Sequence, residues 1–312
     1  MGGDTLALPR RDPRDRAAFP AETALLVYLL LAAASTWLLR PPHGNWILLG
    51  HGLTVGVFGI LRQALPPSSS RARTVRALFP LAMFPALYKV SGLINVGWDK
   101  WFLDKPLERF ESALFGLQPS IALSKWMPSL VVSELFHVAY LCFYPLVVLL
   151  PLVFAAQRRH QLLSTTVYGL CVCFFVSLLF YEWFPVTSPL YRFPPLAAPL
   201  TRGMVYRLAH TITENAGVMG AAFPSSHASL AALNGFIAFR FERRVFWFSL
   251  VPTLALFVGA VYGRFYFGVD VLAGVGLATL CYRLLRRRLD RAAQEDGRRT
   301  VESAGVYRRL LA

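Results

Sequence analysis

Two short stretches concentrate the residues able to do chemistry. The first is Phe223-Pro224-Ser225-Ser226-His227; the second runs from Tyr262 to Gly274 and contains Arg264, Tyr266 and Asp270. His227 carries the side chain best suited to moving a proton near neutral pH, and an imidazole there can protonate a departing alkoxide. It follows Pro224 and two hydroxyl residues, and proline is tolerated in a first helical turn, where its missing N–H costs little. The unpaired N–H groups of that turn, with the hydroxyls of Ser225 and Ser226, can hold phosphate oxygens. A lone histidine beside two serines at an interfacial helix end is otherwise ordinary structure, so the surrounding sequence has to decide.

Asp270 lies just inside an apolar run, where an ionised carboxylate is costly unless it is paired or wet. A structural pair with a nearby arginine explains it as readily as a role in orienting a reactive neighbour. Tyr266 stands four residues earlier, a spacing that shares one helical face, so the two side chains are expected to meet. A neutral phenol with a pKa of about 10 is a poor nucleophile. Arg264 and a His227 base act to lower that pKa, and a carboxylate acts to raise it.

The elements that position these residues are membrane helices. Of 312 residues 55% are hydrophobic and only 16% charged, with a mean hydropathy of +0.48, whereas a soluble domain carries about a quarter charged residues. The apolar residues gather over 21–39, 45–61, 77–96, 131–155, 163–181, 217–238, 245–262 and 268–285, many of these runs near the span of a hydrocarbon core. They predict an all-α, polytopic membrane bundle of about eight segments. Its expected divisions are a basic segment at 1–20, two N-terminal helices within 21–76, a membrane domain over 77–288 and a polar, peripheral tail over 289–312. Within the membrane domain, 97–116 mixes Trp and Phe with Asp104, Lys105, Glu108, Arg109 and Glu111. That mixture suits a segment lying in the interface, aromatics in the headgroups and charges in water.

The net charge of +15 does not point to nucleic acid, because the arginines cluster at the ends of apolar runs, where they orient helices and meet anionic headgroups. With the N-terminus cytoplasmic, one set of loops holds Arg62, Arg71, Arg73 and Arg76, then Arg158 and Arg159, then Arg240, Arg243 and Arg244. The tail follows with Arg283, Arg286, Arg287 and Arg288. This eight-span arrangement obeys the positive-inside rule at every turn and puts both termini in the cytoplasm, with both chemical stretches at the opposite face. The chain start lacks the basic, apolar and cleavage-site order of a signal peptide. Cys142, Cys171, Cys173 and Cys281 lie in apolar runs, and Cys171 and Cys173 point different ways on a helix, as packing residues rather than a metal or redox pair. No metal cluster, phosphate-binding Gly-rich loop or dinucleotide motif is expected, and no cofactor.

Phe223 through Ser229 resembles the second motif of the type 2 phosphatidic acid phosphatase (PAP2) superfamily, with Ser226 where many members have glycine. Tyr262 through Gly274 resembles the third, with Tyr266 at the position of the usual histidine. Phe184-Pro185-Val186-Thr187-Ser188-Pro189-Leu190-Tyr191 is similar to a recurring family loop. The run ending Leu114-Phe115-Gly116-Leu117-Gln118-Pro119, with His137 and Tyr140, resembles the inositol phosphorylceramide synthase branch. The resemblance implies a six-helix membrane core in which a third-motif histidine attacks phosphorus, an aspartate orients it and a second-motif histidine protonates the leaving group. Carried onto this chain, His227 takes the acid role, Asp270 the orienting role, Ser225 and Ser226 the phosphate contacts, and the nucleophile position falls on Tyr266. Leu190 stands where relatives of this branch often have arginine, leaving Arg192 and Arg264 as phosphate contacts and Arg202 and Arg207 as further outer-loop cations. His210 and His137 are the histidines able to substitute for the missing one.

The implied partners are membrane lipids or lipid phosphates. The leading expectation is a lipid phosphatase or headgroup phosphotransferase at the non-cytoplasmic face. One alternative is a non-catalytic lipid-binding or transport protein on the same scaffold. Another is an enzyme that processes isoprenoid diphosphates by ionisation, which needs no histidine nucleophile.

Overall fold

The structure, a computed structural model, describes residues 20–65, 69–95 and 103–310. The basic N-terminal segment and the Trp98 to Trp101 portion of the expected interfacial segment lie outside the described residues. The chain opens with α1 (Pro20–Leu39), α2 (Gly44–Ala64), α3 (Ser70–Ala82) and α4 (Phe84–Asn95). Next come α5 (Asp104–Phe115), α6 (Pro119–Trp126), α7 (Leu130–Leu141), α8 (Phe143–Ala156) and α9 (His160–Trp183). The short α10 (Pro189–Arg192) and α11 (Met204–Ala216) precede α12 (Ser226–Phe241), α13 (Arg243–Tyr262) and α14 (Gly268–Leu310). Val186 and Ala221 form an isolated parallel bridge, and the fold is otherwise all-α, as composition and periodicity predict.

Prolines set the interruptions. α3 and α4 form one apolar run broken at Met83, and α7 and α8 another broken at Cys142. Pro85 and Pro145 each follow closely; each lacks an N–H and crowds the carbonyl four residues back. Counting each run as one, seven helices among the described residues are long and apolar enough to cross a membrane. They are α1, α2, α3–α4, α7–α8, α9, α13 and α14 as far as Arg298.

The eighth expected segment, 217–238, is corrected at its start. Residues 217–225 form a loop, and α12 begins only at Ser226. Gly217, Gly220 and Pro224 disfavour a helix there. The sixteen residues of α12 rise about 24 Å, less than a typical hydrocarbon core of about 30 Å. It is held inside the bundle by α9, α13 and α14 rather than facing lipid on its own.

α9 is apolar around its circumference and is the most enclosed of the seven spans, as expected for a helix surrounded by others. It packs on α1, α3, α4, α8, α12 and α14. A buried ion pair ties the N-terminal helices together: Arg76 Nε and Nη2 donate to the two carboxylate oxygens of Glu22 at 2.8 and 2.9 Å. The stretch from 289, expected as a peripheral tail, continues α14 without a break. Leu289 and Ala292 are buried, and Asp296 accepts the N–H groups of Gln161 and Leu162 at 3.1 and 3.0 Å. A carboxylate there satisfies the open donors at the start of α9 and suits its positive end.

Candidate active site

The two chemical stretches meet at one end of the bundle. Ser225 is the N-cap of α12, its hydroxyl accepting the N–H of Ala228. Its own N–H donates to the main-chain carbonyl of Asp270 at 3.0 Å, which joins the start of α12 directly to the start of α14. Gly274 makes that approach possible, since a Cβ on it would lie 2.4 Å from the Ser225 carbonyl oxygen. Tyr181 supports the same turn from α9: its hydroxyl donates to the Pro224 carbonyl at 2.9 Å and accepts the Ser226 N–H at 3.2 Å.

At this junction the Tyr266 hydroxyl lies 2.8 Å from Nδ1 of His227. The imidazole sits in an aromatic cage, stacked on Tyr140 with ring centres 5.2 Å apart and packed on Phe143 at 3.9 Å. Tyr266 is buried, and burial pushes its phenol well above the ordinary value, against a smaller lowering by the Ser226 hydroxyl.

Asp270 makes no hydrogen bond to Tyr266. The turn through Gly263 to Phe267 precedes α14, so the two residues are not on consecutive turns of one helix, and the expected shared face does not arise. Asp270 Oδ2 instead accepts the N–H of Phe267 at 2.8 Å, closing the first turn of its own helix. Its other oxygen, Oδ1, is buried without a partner.

The remaining predicted residues are dispersed. His137 and His210 pack against Phe265, which stacks on Tyr140 at 3.9 Å, and Tyr140 stacks in turn on His227; Arg264 is buried, with Nε and Nη1 lacking a partner. Arg192 is held by Glu108 at 2.5 Å. Arg202 and Arg207 are exposed near the start of α11, where Arg207 donates to the carbonyls of Arg202 and Gly203.

Residues not singled out for the site complete it. Three acidic residues of α5 anchor neighbouring segments. Asp104 accepts the N–H and hydroxyl of Thr187 at 2.7 and 2.9 Å, Glu108 holds Arg192, and Glu111 accepts the N–H of Gly268 at 2.6 Å. Their spacing of four and three residues places them on one helical face, a signal present in the sequence. Glu111 is buried, and burial lifts its carboxyl to about 7, against the amides of Gly268 and Val269, which lower it. The 184–191 loop is placed by the bridge at Val186, whose N–H donates to Gly220 and whose carbonyl accepts from Ala222, each at 3.1 Å.

Among the described residues no group of three or more His, Cys, Asp or Glu side chains is arranged to hold a metal ion. The arrangement can instead transfer a proton between a phenol and an imidazole at the mouth of a helix N-terminus. Residues 105–284, more than half of the chain, match the family described as the PAP2 superfamily. No curated protein and no solved structure matches the chain significantly.

Proposed function

Starting from a chain that belongs to the PAP2 superfamily and is built as a polytopic membrane bundle, we propose that it cleaves or transfers the phosphoryl group of a lipid phosphate ester. The observation that carries this reading is the hydrogen bond between Tyr266 and His227 at the start of α12. In the proposed reaction Tyr266 Oη forms a bond to phosphorus as the bond to the lipid alkoxide breaks. His227 Nδ1 takes the phenol proton and passes it to that alkoxide. Water or an acceptor alcohol then displaces the phosphoryl group from Tyr266, returning the phenol. A general base beside the attacking hydroxyl is the requirement for such a weak nucleophile. The distribution of arginines supports placing the reaction at the non-cytoplasmic face, with both termini in the cytoplasm.

A second reading keeps phosphate-ester recognition without turnover. It is favoured by Asp270, whose carboxylate is committed to Phe267 rather than to the attacking residue, and by the raised phenol pKa.

Purified protein in nanodiscs, given labelled phosphatidic acid, mixed phospholipids and an isoprenoid diphosphate, separates the readings. Phosphate release or transfer that is lost in both Tyr266→Phe and His227→Ala supports the tyrosine reaction. Turnover that survives Tyr266→Phe removes it, and lipid binding without turnover in wild type selects the second reading. Release confined to the isoprenoid diphosphate moves the activity to ionisation of that substrate.

A further inference from the structure

Pro151 lies inside α8, within the Leu130–Ala156 membrane span. A proline there has no N–H to give the carbonyl four residues back, and its ring crowds that carbonyl and kinks the helix. The carbonyl left open is that of Val147. In a hydrocarbon layer no water replaces the missing donor, so a neighbouring helix has to supply one. Asn234 of α12 supplies it. Its Nδ2 donates to the Val147 carbonyl at 3.0 Å and to the Leu146 carbonyl at 3.1 Å.

The carboxamide is used for donation alone. Asn234 is buried, and its Oδ1 has no partner. Turning the amide over sets that oxygen against two carbonyl oxygens, so the acceptors fix its orientation. A polar side chain about 12 Å along α12 from Ser226 is thus accounted for by the backbone group that Pro151 leaves open.

The same face of α12 carries His227. It stands two helical turns before Asn234, to within about 20° of rotation. Both side chains reach α8. His227 packs on Phe143, the first residue of α8, with ring centres 3.9 Å apart, and Asn234 holds the turn that follows.

We propose that Asn234 is a positioning residue for His227: by completing the backbone that Pro151 interrupts, it holds the bent α8 against α12 and keeps Phe143 on the imidazole. The consequence for turnover rests on the proposed role of His227 as proton carrier; the consequence for the imidazole does not.

A double-mutant cycle between Asn234 and Pro151 tests this in full-length protein in nanodiscs. Pro151→Ala restores an N–H for the Val147 carbonyl and makes the Asn234 donor redundant. Two readouts need no turnover: the melting temperature, and the imidazole NMR signals of isotope-labelled His227, assigned by their loss in His227→Gln. Asn234→Leu, similar in volume but without a donor, is expected to lower the melting temperature by about 2–4 °C, the shift for one lost hydrogen bond. It is also expected to move the His227 signals. In the Pro151→Ala background the same substitution is expected to shift melting by less than half as much. The His227 signals then stay where Pro151→Ala alone puts them. Asn234→Ala, which cannot clash, is read in the same way if the leucine variant does not fold. Phosphate release, measured alongside, is expected to fall at least about tenfold in Asn234→Leu and to return in the double variant to the level of Pro151→Ala. Equal effects of the Asn234 substitutions in both backgrounds overturn the proposal, as do His227 signals unmoved by Asn234→Leu. A wild type without phosphate release removes the proposed reaction, and melting and NMR still decide the positioning role.

Discussion

Tyr266 and His227 are bonded hydroxyl to imidazole at 2.8 Å, although they belong to different motifs on opposite sides of α13. A phenol and an imidazole from distant parts of the chain are thus in direct contact at the start of α12. Replacing that phenol separates its possible roles. Tyr266→Phe removes one neutral hydrogen bond, worth about 1 kcal/mol of stability. It is expected to reduce phosphate release at least about 100-fold if His227 acts as base for the phenol. Side-by-side melting curves and initial rates with phosphatidic acid check both numbers, and an active phenylalanine variant excludes the tyrosine reaction.

Tyr266→His tests whether the scaffold still supports the family chemistry. An imidazole at this position enters a turn where Asp270 is committed to the Phe267 N–H. The expected outcome is folded protein with lower phosphate release than wild type, because Asp270 holds the Phe267 N–H through Oδ2 and makes no hydrogen bond to Tyr266. Higher release than wild type, measured with the same lipid, contradicts this.

Glu111 gives a pH dependence with a definite sign. Its carboxyl rises from an ordinary value of 4.5 to about 7 in the folded protein, mainly through burial. Between those values the folded state binds a proton that the unfolded state has released, so stability falls as pH rises. The contribution is complete below about pH 4.5 and is lost by the time pH passes through about 7. Glu111→Gln is expected to flatten this part of the stability profile while keeping the oxygen that accepts from Gly268. Thermal unfolding across that range, wild type against variant at one ionic strength, reads the difference.

Gly274 is the contact point between α14 and the cap of α12. Gly274→Ala places a methyl group 2.4 Å from the Ser225 carbonyl oxygen and must push the helices apart. A cost of about 1–3 kcal/mol is expected from such overpacking, together with loss of activity as the Ser225–Asp270 hydrogen bond is disturbed. Gly276→Ala, where the added methyl meets nothing within 4 Å, serves as the control and should leave both unchanged.

The Glu22–Arg76 pair fixes α1 to α3 far along the chain from the site. Removing one partner of a buried pair costs about 3–5 kcal/mol. Glu22→Ala is therefore expected to lower the melting temperature without altering phosphate release by the protein that remains folded.

The sequence by itself determined the class of the fold. A chain with 55% hydrophobic residues gathered in membrane-length runs has helices as its main way to satisfy backbone polar groups in lipid, and prolines such as Pro85 and Pro145 mark where those helices break. It also marked His227, Tyr266 and Asp270, because a titratable residue beside apolar runs needs a reason. The mixed pattern of 97–116 predicts the charges of Asp104, Glu108 and Glu111 in water, whereas Asp104 and Glu111 are buried and hold the main chain of Thr187 and Gly268.

Tertiary structure decided which of these residues touch. The four-residue interval between Tyr266 and Asp270 suggests contact only if both lie on one helix; the chain enters α14 at Gly268, so the interval crosses a turn and no hydrogen bond joins the two side chains. Conversely, Tyr266 meets His227 across 39 positions of sequence, and His137 of α7 packs on His210 of α11 with ring centres 5.4 Å apart. Such meetings follow from how α7, α11, α12 and α14 cross. Crossing is set by close approaches such as that of Gly274 to Ser225, a long-range packing relation that spacing along one chain does not encode.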